Sequence, residues 1–207
     1  MKQLEKQYNG NLRAQHKEET EAIIFESAKS LFEKSGFEKT TIRAIARNAG
    51  VGLGTIFNYF PDKPSLLIAV LLHDLENVEV HTFSTLPKKS NIVEKCIHIA
   101  KSYYSYYAKN PSLSRTLIKE SNFIGGKFGD LLESRINKFI QLLQDMMIEA
   151  QENGEIRVDV DCELVAITFY SLFLSFLFSG LGSHEFDIKE SINMIRRLLN
   201  QYMNGIG

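Results

Sequence analysis

Eighteen consecutive residues, LVAITFYSLFLSFLFSGL from Leu164 to Leu181, carry no charge, so any fold this chain adopts must keep much of that segment from water. The run just reaches the length of a candidate membrane span. Its pattern argues for another role. Thr168, Tyr170, Ser171, Ser175 and Ser179 interrupt it, and the flanks DVDCE and HEFDIKE are acidic where a span carries Lys and Arg. The segment reads as a helix buried on nearly all sides, such as one in a subunit interface, and no membrane partner is expected.

The rest of the chain is built for helices around such a segment. Only four prolines occur in 207 residues, and 44% hydrophobic content is enough for a substantial core. From Lys17 to Ser35, Ile24, Ala28, Leu31 and Phe32 recur at i, i+4, i+7 and i+8, an amphipathic helix that Gly36 ends. In TTIRAIARNAG, Thr40 or Thr41 can cap a short helix whose inner face is Ile42, Ile45, Ala46 and Ala49. Gly50 and Gly52 allow a tight turn, and GLGTIFNYF then forms a second short helix with Ile56 and Phe60 inward. Two short helices across a glycine turn make a helix-turn-helix. Pro61 ends the second, and Asp62 caps the next with Pro64 in its first turn.

Further helices are expected over 63–83, 92–108, 112–122, 128–153, 164–179 and 187–203, with FIGGKFGD as a loop and EIRVDVD as a connector. The fold class is therefore all-α, about nine helices. Residues 1–16 form a flexible arm, 17–63 a three-helix helix-turn-helix domain, and 64–207 a helical ligand-binding and dimerisation domain. Cys96 and Cys162 lie in apolar patterns without ligand spacing, which reads as buried free thiols in a reducing compartment. The amino terminus has no apolar signal core, so a cytoplasmic location is expected.

The stretch LFEKSGFEKTTIRAIARNAGVGLGTIFNYFPDKPSLL, Leu31 to Leu67, resembles the amino-terminal DNA-binding signature of the TetR/AcrR family of transcriptional regulators. Gly-Phe, a Thr pair, Ile-Ala, Ala-Gly-Val, Gly-Thr, Tyr-Phe and the Lys of PDK follow in order without a gap. The remaining two thirds resembles the family only in length, helix count and closing helices. The resemblance implies a homodimer, joined through the two carboxyl-terminal helices, that places paired recognition helices in successive major grooves of a palindromic operator. It implies a repressor released by a small effector. Residue by residue, it implies DNA contacts from Thr41, Arg43, Gly52, Leu53, Gly54, Thr55, Phe57, Asn58, Tyr59 and Lys63. Thr41, Tyr59 and Lys63 would meet phosphate, and Gly54 would let the backbone approach. Leu53 and Phe57 stand where the family often has a polar residue and Tyr, which points to thymine-methyl contact and a lost phosphate hydroxyl.

The resemblance also implies an effector pocket in the carboxyl-terminal part. Its expected lining is Tyr103, Tyr104, Tyr107, Phe123, Phe128, Phe139, Phe169 and Phe173, and the scarcity of charge there favours an apolar or aromatic ligand. No catalytic residue, metal site or cofactor is assigned: there is no metal-ligand spacing or nucleophile motif, and GLG opens a helix without the strand a phosphate loop requires. The competing reading is an inducer-independent architectural or nucleoid DNA-binding protein, which predicts a filled carboxyl-terminal core.

Overall fold

The computed structural model describes residues 2–183 and 185–206, with side chains over 15–183 and 185–205. These residues form nine helices: α1 (Lys2–Ser35), α2 (Ile42–Ala49), α3 (Leu53–Tyr59), α4 (Lys63–Ser84), α5 (Ile92–Tyr107), α6 (Pro111–Ser121), α7 (Gly126–Glu152), α8 (Cys162–Gly182) and α9 (Ile188–Ile206). No strand occurs among the described residues.

Helix α1 begins at Lys2, which corrects the flexible arm expected over 1–16. The segment has no proline and is dense in Lys, Gln, Leu, Glu and Arg, which lose little freedom in a helix. Met1 and the side chains before Gln15 lie outside the described residues. Gly36, at φ +79°, donates to Phe32 O at 3.0 Å and closes α1 in the left-handed conformation that glycine adopts most readily.

Ile24, Ala28 and Phe32 of α1 bury against Ile45 and Ala46 of α2, Ile56 of α3, and Phe60. Thr41 caps α2, its Oγ1 accepting from Ala44 N at 3.1 Å. Thr40 instead turns inward and donates to Gly36 O at 2.8 Å, fixing the chain between α1 and α2. Asp62 caps α4 by accepting from Ser65 N at 2.8 Å.

Helix α4 continues without a break from this unit into the second one, where α5, α7, α8 and α9 enclose Ile99, Tyr104, Leu143 and Phe169. Glu155 in the connector accepts from Ile92 N at 2.7 Å and completes the start of α5. Helix α7 starts at Gly126 rather than Phe128. The chain doubles back so closely there that a Cβ on Gly129 would stand 2.7 Å from Ile124 O. Helix α8 buries one face only, through Val165, Ala166, Phe169, Phe173 and Leu177. Its other face leaves Leu164, Ile167 and Phe178 exposed, so within the protomer it is not covered on nearly all sides as expected.

Candidate nucleic-acid interface and buried cavity

The α2–α3 turn shows how an apolar helix can still present a surface. Gly50, at φ +67°, and the bond from Val51 N to Ala46 O at 3.0 Å close α2 sharply. Helix α3 then turns Ile56 into the core, with Phe60 completely covered just beyond it. Leu53 and Phe57 are left 37% and 49% exposed, and Gly52, Gly54 and Asn58 are exposed beside them. Leu53 and Phe57, four residues apart, thus share one exposed side of the helix. Thr55 and Tyr59 flank it, half-buried, and Lys17 Nζ of α1 lies 5.8 Å above the Tyr59 ring. Thr41 and Arg43 are exposed at the start of α2, and Arg43 makes no salt bridge among the described residues.

Lys63 departs from expectation. Its ammonium donates to Phe37 O at 2.8 Å and Thr40 O at 3.1 Å, and stands 4.1 Å from the Phe37 ring centre. The group expected at a phosphate is turned onto carbonyls of the α1–α2 turn, of which Phe37 O also accepts from Thr40 N at 3.2 Å. In this geometry Lys63 fastens the start of α4 to the end of α1.

In the second unit a cavity of about 190 Å³ lies among α4, α5, α6, α7 and α8. Tyr103, Tyr107, Phe139 and Phe173 line it as expected. The other four expected residues do not. Tyr104 lies behind the wall, donating its hydroxyl to Phe173 O at 2.7 Å and stacking on the Phe173 ring at 5.2 Å. Phe169 is core, one turn from Phe173. Phe123 is 88% exposed on the α6–α7 loop, and Phe128 packs on Phe60 at 5.7 Å. An aromatic count locates a helical core but not which rings face its void, because that depends on the rotation of each helix. His98 is satisfied by Thr82 O and Thr85 Oγ1, at 3.2 and 3.1 Å, away from the cavity.

Sequence reasoning missed Leu71 and Leu75 of α4, Leu174 and Phe178 of α8, and Arg135 of α7. Arg135 had a legible signal: it falls four residues before Phe139, with Leu132 and Ile136, on an otherwise apolar helix face.

Two of the contacts between this cavity region and the α1–α3 unit involve polar or aromatic groups near the cavity. Asp74 of α4 accepts from Lys29 Nζ of α1 at 2.8 Å and from the Tyr106 hydroxyl of α5 at 3.2 Å. Burial lowers the Lys29 pKa, but the Asp74 bond and nearby carboxylates more than offset it and leave it raised. Burial first, then Asp74, pushes the Tyr106 phenol up, so it stays a donor. The second contact is Phe128 of α7 on Phe60 at the end of α3. Asp74 lies between Leu71 and Leu75, so one turn of α4 carries both the cavity wall and the tie to α1.

Residues 24–70 match the family described as bacterial regulatory proteins, tetR family. The HTH-type transcriptional repressor KstR of Mycobacterium tuberculosis is 23% identical over 132 residues, covering 64% of this chain and 58% of KstR. The fatty acid metabolism regulator protein of Bacillus subtilis is 23% identical over 145 residues, covering 68% and 73%. Among solved structures, the transcriptional regulator FadR of Bacillus subtilis in complex with stearoyl-CoA superposes with a TM-score of 0.71 at 19% identity, over 86% of this chain and 96% of that one. FadR of Thermus thermophilus in complex with lauroyl-CoA also gives 0.71, at 23% identity over 87% and 93%. Residues 24–70, from α1 to α4, thus form a helix-turn-helix unit of the tetR family, and the helices that follow share the fold of these regulators.

Proposed function

We propose that the chain is a homodimeric, sequence-specific DNA-binding repressor of the cytoplasm, released from a palindromic operator by a small, largely apolar effector. The observation that carries this reading is α3, which buries Ile56 and presents Leu53, Gly54, Phe57 and Asn58 outward as one face. Asn58 can read a base edge, and Leu53 or Phe57 a thymine methyl. One such unit touches too few base pairs to be selective, which calls for a second copy. Ile167 and Phe178 of α8, with Met194 and Leu198 of α9, supply an exposed apolar face for it.

The cavity supports the effector. A ligand that displaces Leu71 or Leu75 acts on the same turn of α4 as Asp74, and through Lys29 on α1. A differential affinity of about 1–3 kcal/mol between the two states is the usual size of such coupling. The solved structures that hold stearoyl-CoA and lauroyl-CoA favour an effector with a long apolar part. The architectural alternative calls for a filled core, and the cavity speaks against it.

Ile167→Glu tests the reading, because a charge on the proposed dimer face, away from the cavity wall, should yield monomers by sedimentation and lose most operator affinity. A variant that stays dimeric, or a monomer that binds DNA as tightly as the parent, would reject this interface.

A further inference from the structure

The cavity has one charged end, and its hydrogen bonding is unfinished. Arg135, 16% exposed, donates to Leu75 O at 3.0 Å and lies 3.2 Å from Glu79 Oε2. Glu79 also faces Lys138 Nζ at 3.4 Å, but that lysine is 60% exposed and its charge meets water, so Arg135 is the cation at the cavity. The Arg135 contact is close but poorly aligned: the buried Glu79 Oε2 has no hydrogen-bond partner among the described residues. Tyr103 lines the same cavity, and its hydroxyl makes no hydrogen bond among the described residues. Burial keeps the phenol protonated, so it remains a donor.

We propose that the effector is an amphipathic carboxylate, whose head group is bound by Arg135 and the Tyr103 hydroxyl while its apolar body lies along Leu71, Phe139 and Phe173. This rests on the reading of the cavity as the effector site. The carboxylate would accept from two donor residues that line one largely apolar space, and a charged bond to Arg135 is the stronger of the two. Glu79 then competes with the ligand for Arg135, so removing the Glu79 charge should favour an anion and leave a neutral chain unaffected.

Calorimetric titration of the full chain with dodecanoate, dodecanol and dodecanoyl-CoA tests this. The parent should bind dodecanoate roughly tenfold or more tightly than dodecanol, the usual worth of a hydrogen bond to a charged group. Arg135→Gln should equalise the two, and Glu79→Gln should tighten dodecanoate several-fold (roughly the same bond energy again) while leaving dodecanol unchanged. Should Arg135→Gln fail to fold, the Glu79→Gln result decides alone. Equal affinities in the parent, or a preference that survives Arg135→Gln, overturn the role of Arg135 and leave the cavity reading intact. Tight dodecanoyl-CoA binding that ignores both substitutions assigns recognition to the nucleotide portion and overturns the proposal too. Failure of all three ligands to bind refutes the cavity reading itself.

Discussion

Lys63→Met keeps the unbranched stem of the side chain and removes its ammonium, which separates a structural role from a phosphate contact. In the parent that group donates two bonds of 2.8 and 3.1 Å to carbonyls of the α1–α2 turn and sits 4.1 Å above the Phe37 ring. Hydrogen bonds to a charged group contribute about 1.5–3 kcal/mol net, and a partly exposed cation–π contact about 0.5–1 kcal/mol. Glu38 and Lys39 beside the carbonyls are exposed, so water recovers part of the loss. The expected destabilisation is therefore about 2 kcal/mol. For a chain of this size each kcal/mol moves the melting temperature by about 2–4 °C, giving a fall of roughly 4–8 °C by calorimetry. The salt dependence of operator binding should not change, because no phosphate contact is removed. A phosphate role would lower the slope of log K against log salt by about 0.9 per contact, or about 1.8 for a dimer. An unchanged melting temperature with that lower slope would refute the structural assignment.

Gly54→Ala should raise the melting temperature by a few degrees, since an added Cβ meets nothing within 4 Å and alanine is favoured in a helix by about 0.5–1 kcal/mol. It should nonetheless weaken operator binding if backbone and DNA meet there; undiminished binding would remove Gly54 from the interface. Asn58→Ala should relax discrimination at one base pair, by about 1–3 kcal/mol, and equal losses on selected and random duplexes would show that it reads no base. Asp74→Asn should cost about 1 kcal/mol or less of stability, the pair being partly solvated, and preserve DNA binding while blunting effector-driven release. Release at the parental effector concentration would exclude Asp74 from the coupling.

The helix-turn-helix was legible because its information is local. Ile45, Ala46 and Ile56 fall at helical spacing, Gly50 marks the left-handed stop and Asp62 the cap, and each occupies the expected place. What was not legible depends on distant partners. Lys63 looks like a surface cation in the sequence, and only the folding of residues 37–40 against α4 turns it onto carbonyls. Phe128 belongs by sequence to the glycine loop of the second unit, yet it covers Phe60 of the first. Tyr103 and Tyr104 are neighbours, about 100° apart around α5, so one faces the void and the other the core. Helical periodicity gives each helix an inner face; which part of that face stays unfilled is decided by its neighbours.

Selection of duplexes bound by the full chain from a random pool tests the central claim, that α3 reads DNA as one half of a twofold pair. The account predicts an enriched inverted repeat with half-sites about 10 base pairs apart, centre to centre, or a multiple of that, from which Asn58→Ala erases one position in each half. Enrichment of no sequence, or of a single site without a repeat, would contradict it.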